Sequence, residues 1–168
     1  TRKIGFSKSY AFFATNYGGA DIRFKLDGQW LDTPEGIAHF LEHKMFDTED
    51  GDALSALSEN GASVNAFTSS GITAYHFESV DNFFENLKIL LSFVSIPYFT
   101  EKSVAKEQGI IGQEIKMSED DPGYVLYYNF LKLLYKNNPV RRSVAGTVES
   151  IAEITAKTLY DCHKVFYN

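Results

Sequence analysis

Apolar positions change period several times along the chain, and each change predicts an element. Residues 10 to 26 (YAFFATNYGGADIRFKL) hold two apolar runs, the first rich in aromatics, around Gly18 and Gly19, which predicts two strands joined by a turn. Thr33-Pro34-Glu35 reads as a helix start, with a cap, a proline at the first helical position and an acid in the first turn. Asp50 to Asn60 predicts a second, short helix ended by Gly61. Ser63 to Thr68 and Ile72 to Glu78 predict paired strands around Ser69-Ser70-Gly71, and Asp81 to Ser95 returns to helical spacing. Thr100 caps a long predicted helix from Glu101 to about Met117, stopped by Asp120-Asp121-Pro122. From Gly123 onward the pattern predicts helices broken around Asn137-Asn138-Pro139. Strands followed mostly by helices, without repeats or a low-complexity linker, predict an α+β fold.

The first predicted helix carries GIAHFLEHKMF, residues 36 to 46, with two of the four histidines of the chain. An ideal helix turns about 100° per residue. With His39 at zero, Glu42 falls near 300° and His43 near 40°, so the three share an arc of about 100°. Ile37, Leu41 and Met45 occupy the opposite side, between about 160° and 240°, as an apolar back suited to burial. Imidazoles at i and i+4 are the helical arrangement that binds one Zn²⁺, and a glutamate beside them can serve as general base for a metal-activated water. Two histidines satisfied inside a core are the plainer alternative.

A second cluster bears on that choice. Glu107 and Glu114, in KEQGIIGQEIKM, nearly eclipse each other on a helix, and Val104, Ile110 and Ile111 lie within about 60° of their line. Lys106, Gln113 and Lys116 point the other way. Carboxylates on an apolar stripe need a cation or a hydrogen-bond donor, since burying one unpaired is expensive or forces it to protonate. An internal salt bridge would account for one of them. A metal shared with the histidine pair accounts for both more simply, and two histidines with one glutamate leave zinc a fourth position for water.

Composition removes competing classes. The 168 residues can bury a core of their own, and the 44% hydrophobic content, with 14 Phe and 10 Tyr, comes in runs too short to span a bilayer. With 16 basic and 22 acidic residues the net charge is -6, which argues against nucleic acid, close basic pairs such as Arg141-Arg142 being few. One cysteine, Cys162, excludes an internal disulfide and suits a reducing, cytoplasmic compartment. Adjacent Cys162 and His163 point about 100° apart on a helix, so a buried thiol is favoured over a nucleophile. His76, between Tyr75 and Phe77, reads as structural. The acidic clusters Asp47 to Asp52 and Glu119 to Asp121 lack the spacing of a calcium loop and read as solvated turns.

At these residues the chain strongly resembles the pitrilysin or insulinase family of zinc peptidases, whose helix reads H-x-x-E-H, and it looks closest to the smaller bacterial members. The motif here is His39, Glu42 and His43. The resemblance implies a mostly antiparallel sheet with helices packed on one face. It implies Zn²⁺ held by His39, His43 and Glu114, with Glu107 supporting a ligating histidine and Glu42 as general base. The interval from His43 to Glu114 is 114 - 43 = 71 residues, a few shorter than is usual in the family, and Lys44 stands where most relatives are apolar. The stretch GASVNAFT resembles the family's edge strand, so Asn65, Ala66 and Phe67 are the expected substrate-binding residues, pairing with an extended peptide by strand addition. PVRRSVAGTVESI, residues 139 to 151, resembles the segment that follows the zinc helices.

The family encloses its substrate between homologous halves, and the far half supplies an arginine and a tyrosine. The resemblance therefore implies that residues 1–168 form a single N-terminal domain, C-terminally truncated and weakly active or inactive alone. Its implied partners are a peptide substrate and the remainder of its own chain or a homologous domain that closes the chamber, with a homo- or heterodimer as one arrangement. The start at Thr1 and the end at Val165-Phe166-Tyr167-Asn168 fit that reading. A non-catalytic scaffold or partner subunit of an active peptidase is the alternative, since some relatives have lost the metal.

Overall fold

The computed structural model describes residues 4–167, which leaves Thr1 and Asn168 outside the described residues. Along them the chain runs β1 (Ser9–Thr15), β2 (Arg23–Leu26), β3 (Gln29–Asp32), α1 (Ile37–Lys44), β4 (Asp47–Thr48) and β5 (Gly51–Asp52). It continues through α2 (Ala53–Glu59), β6 (Ser63–Thr68), β7 (Thr73–Ser79), α3 (Phe83–Ser95), α4 (Glu101–Glu119) and α5 (Pro122–Leu134). A 3-10 turn at Pro139–Arg141, α6 (Val148–Ile151) and α7 (Ala156–Phe166) follow. The architecture is α+β, and every strand pair among the described residues is antiparallel.

The main sheet has the order β1-β7-β6, which leaves β6 at an edge. Alternation gives the sheet two unlike faces. Ala11, Tyr75 and Phe77 turn inward and are buried, whereas Tyr10, Phe12 and Phe67 point to the other side and are 58%, 48% and 43% exposed. The helices cover the inward face: Ile37, Leu41 and Met45 of α1 and its C-cap, Leu90, Phe93 and Val94 of α3, and Leu159 and Cys162 of α7 join one cluster with it. No helix among the described residues is long and apolar enough to cross a membrane.

Several boundaries differ from the sequence reading. The hairpin partner β3 was not anticipated, although Asp27-Gly28 before it is a strong hairpin-turn dipeptide; both residues have positive φ, 51° and 84°. Helix α1 begins at Ile37 rather than at Pro34. The reason is that Thr33 is spent on the strand side, donating from both its amide and its hydroxyl to the Ile22 carbonyl. Gly36 takes the N-cap position instead, at φ 89°, where a Cβ would strike the Ala145 carbonyl. That close approach, with Ser150 Oγ donating to the Glu35 carbonyl at 2.8 Å and Arg142 Nε 3.2 Å from Glu35 Oε1, ties the segment after α5 to the start of α1. Several of the remaining helices begin where capping chemistry places them: Asp52 caps α2, Thr100 makes a capping box with Ser103 on α4, and Asp121 caps α5 ahead of Pro122, whereas α3 starts after Asn82 without a side-chain cap.

Candidate metal centre

Helix α1 is buried over most of its circumference. Ile37, Phe40, Leu41 and Met45 are at most 1% exposed, so packing fixes the helix about its axis and leaves His39 and His43 on the one open strip. Helix α4 crosses that strip. It places Glu114 Oε1 3.6 Å from His39 Nε2 and Glu114 Oε2 3.7 Å from His43 Nε2. One donor atom from each of the three residues lies within 4.8 Å of the others. Ligands about 2.0–2.2 Å from a tetrahedral zinc stand roughly 3.3–3.6 Å apart, so the 3.6 and 3.7 Å carboxylate–imidazole spacings suit that ion, while a donor separation as long as 4.8 Å would shorten by about an ångström on binding it.

The ring of His43 is held from behind. Its Nδ1 lies 3.0 Å from Glu107 Oε1. Burial alone would raise the Glu107 carboxyl, but its hydrogen bond to His43 and the charge of that ring hold it below the usual range. An ionised carboxylate only accepts, so Nδ1 carries the proton and Nε2 is turned toward Glu114. The two imidazoles differ in basicity. Burial, and then the neighbouring His43, lower His39 to about 4. For His43 burial pulls downward, yet the hydrogen bond and charge of Glu107, with Glu42 and Glu114, raise it overall. Between about pH 5 and 6.5 His39 is therefore neutral while His43 carries the proton a metal must displace. Zinc affinity is expected to rise about tenfold per pH unit across that window and to flatten above the raised pKa of His43. A slope of two in log affinity against pH, measured by chelator competition, would show that both rings must lose protons.

Glu42, 7% exposed, lies beside the histidines with Oε2 accepting from Thr68 Oγ1 at 2.6 Å. Burial raises its carboxyl, opposed by the Thr68 hydrogen bond and by the charge of His43, while the charge of Glu114 raises it further. A carboxylate of raised basicity next to a metal-binding pair can accept a proton from water.

Two expectations need correction. The glutamates do not both sit on the buried stripe of α4: that stripe is Val104, Ile111 and Ile115, and the glutamate line is offset from it by about 60–80°. Glu107 is mostly covered at 14% side-chain exposure, but Glu114 is 47% exposed, as is Ile110. Glu114 is thus a rim group that meets the histidines rather than a core carboxylate. Lys44, which stands where most relatives are apolar, is 2% exposed and its Nζ pairs with Asp47 Oδ2, so an ion pair with a buried lysine occupies that position. Asp47, read as part of a solvated turn, lies in β4 and pairs with that lysine.

An open cavity of about 750 Å³ joins these residues to the edge strand. Val64 through Thr68 line one side, including Asn65, Ala66 and Phe67, and Phe46, Asp52 and Leu54 extend it beyond the residues singled out in the sequence. The Ala66 amide donates to Asn65 Oδ1 at 2.9 Å, so one donor of the edge strand is held by a side chain. Thr68 was quoted in the strand motif without a role, and only its spatial position beside Glu42 distinguishes it. Away from the cavity, Cys162 is fully buried and its thiol is pushed up to about 12 by burial, which disfavours a thiolate. His163 Nε2 lies 2.9 Å from the Val94 carbonyl, and the ring of His76 packs against Tyr10 and Phe12.

The sequence profile described as Insulinase (Peptidase family M16) matches residues 28–148. Over 168 residues the chain is 52% identical to an uncharacterized zinc protease, YmfH, of Bacillus subtilis (strain 168), covering 99% of this chain and 39% of that protein. It superposes on the crystal structure of an M16-like peptidase from Alicyclobacillus acidocaldarius with a TM-score of 0.92 at 43% identity, over 96% of this chain and 38% of that one. Against pitrilysin the TM-score is 0.81 at 19% identity, over 98% of this chain and 18% of that one, a likeness of fold. This chain spans about two fifths of the length of its bacterial relatives. A family match over most of its residues, with a relative at 52% identity, establishes that the chain belongs to the insulinase (M16) peptidase family.

Proposed function

We propose that this chain is the metal-bearing domain of a zinc-dependent endopeptidase, with His39, His43 and Glu114 as ligands, Glu107 supporting His43 and Glu42 as general base. The observation that carries this reading is the convergence of two imidazole nitrogens and a carboxylate within 4.8 Å, with Glu42 beside them. The name of the YmfH relative, a zinc protease, agrees with it. Bound zinc would supply the Lewis acidity that activates water and polarises a scissile carbonyl. Glu42 would take the proton of the attacking water and deliver it to the departing amine. An extended peptide would lie along β6 at Asn65, Ala66 and Phe67, its backbone adding a strand to the open edge, with the Asn65 side chain swinging away from the Ala66 amide. The rest of a longer chain, or a homologous domain in a homo- or heterodimer, would close the cavity over the substrate.

The test is hydrolysis of an unstructured peptide by the full-length protein. Activity that stops on chelation and returns with zinc is the expected result. Hydrolysis that persists in chelator would refute the metal assignment, and a protein that takes up no zinc and cleaves nothing would favour the non-catalytic partner reading.

A further inference from the structure

We propose that Thr68 is a positioning residue for Glu42: its hydroxyl anchors one carboxylate oxygen, Oε2, and reserves Oε1 as the base. The inference rests on the peptidase reading for its catalytic consequence but on geometry for its substance. The hydrogen bond is short, 2.6 Å, and Oε1 has no hydrogen-bond partner among the described residues.

The anchor is itself rigid. Thr68 is the last residue of β6 and stands opposite Thr73 in register, and the turn beyond it is closed by Ser69 N–H donating to the Ile72 carbonyl at 2.8 Å. Thr73 is fully buried and donates its hydroxyl to the Tyr17 carbonyl at 2.9 Å, while its oxygen lies 3.3 Å from Thr68 Oγ1. Each hydroxyl has one proton. With that of Thr73 committed to Tyr17, the proton of Thr68 goes to Glu42. The branched side chain of threonine restricts χ1, so strand geometry is transmitted to the carboxylate through one stiff torsion.

The choice of donor matters chemically. A lysine or arginine in this place would neutralise Glu42 and oppose proton uptake, whereas a neutral hydroxyl fixes direction and leaves the charge available. Thr68 also belongs to the strand on which substrate is proposed to lie, two residues beyond Ala66. Substrate and base are thereby referred to the same rigid element, which meets the positional tolerance that catalysis demands.

The experiment compares Thr68→Val and Thr68→Ser in the full-length protein. Valine keeps the shape and removes the hydroxyl; kcat is expected to fall roughly ten- to hundredfold with KM and zinc content unchanged, and serine to recover most of the loss. Thr68→Ala serves as a second hydroxyl-free variant should valine not fold. A crystal structure of the hydroxyl-free variant gives a readout independent of turnover, and the Glu42 carboxylate is expected to be displaced or split between conformers. Wild-type kcat in both hydroxyl-free variants, equal loss in the serine and valine variants, or an unmoved Glu42 would each overturn the proposal. If the parent protein hydrolyses nothing, the peptidase reading fails by itself, and the position of Glu42 in the crystal still decides the role of Thr68.

Discussion

Glu42→Gln in the full-length protein is expected to lower kcat/KM for peptide hydrolysis by roughly 10²- to 10⁴-fold, the loss typical of a missing general acid–base, with zinc retained. Glutamine has the same shape and keeps an oxygen that can accept from Thr68 Oγ1, so the helix and the three ligand residues are left in place. What disappears is the ability to take a proton. The carboxyl of Glu42 is buried and raised, which brings its basicity closer to neutral pH than that of a surface glutamate. Activity is therefore expected to fall on acidification as Glu42 takes up its proton, in addition to the loss caused by displacement of metal from His43. Steady-state kinetics alongside elemental analysis separates the two. A glutamine variant within tenfold of wild type would mean that another group accepts the proton.

Glu114→Ala is expected to abolish stable zinc binding, with a loss of affinity beyond the roughly 10- to 100-fold that removing an outer partner such as Glu107 would cost. The variant should fold normally. Its side chain is 47% exposed and stands at the rim of α4, and substitutions at such positions change stability by about 0.5 kcal/mol or less. Folding and metal affinity are thus separable at this residue, as they are not at His43, whose ring is tied to Glu107. A ligand present at about 1,000 times its dissociation constant stabilises the native state by about 4 kcal/mol, so the upward shift of thermal midpoint produced by zinc in the parent should vanish in the variant. One zinc per chain after dialysis against a weak chelator, unchanged in Glu114→Ala, would remove Glu114 from the ligand set.

Much of the fold was legible because its signals are local. The strands at Ser63–Thr68 and Thr73–Ser79, the capped start of α4 at Glu101 and the arrest of that helix before Pro122 follow from alternation, a threonine cap and a proline, each set by near neighbours in the chain. The start of α1 was misplaced because Thr33, an acceptable cap in isolation, is recruited by the carbonyl of Ile22 across a hairpin that had not been recognised. The common face of His39, Glu42 and His43 was readable from spacing, since helical geometry alone relates residues three and four apart.

Relations between elements were another matter. Spacing put Glu107 and Glu114 on one line of α4, but the face of α4 that the fold buries, Val104, Ile111 and Ile115, lies beside that line and leaves Glu114 at the rim. The hydroxyl of Thr68 on Glu42 likewise has no signature in sequence, and although Lys44 and Asp47 are only three residues apart, the burial of that lysine depends on which surfaces meet around it. The sequence by itself determined the class of fold, the periodicity of its elements and the presence of a histidine pair with a glutamate on one helical strip. Only the tertiary structure decided that Glu114 closes on both imidazoles, that Glu107 backs His43 and that Thr68 holds Glu42. Local order follows from dihedral preferences and neighbouring side chains, whereas distances of a few ångströms between remote residues follow from how whole faces pack.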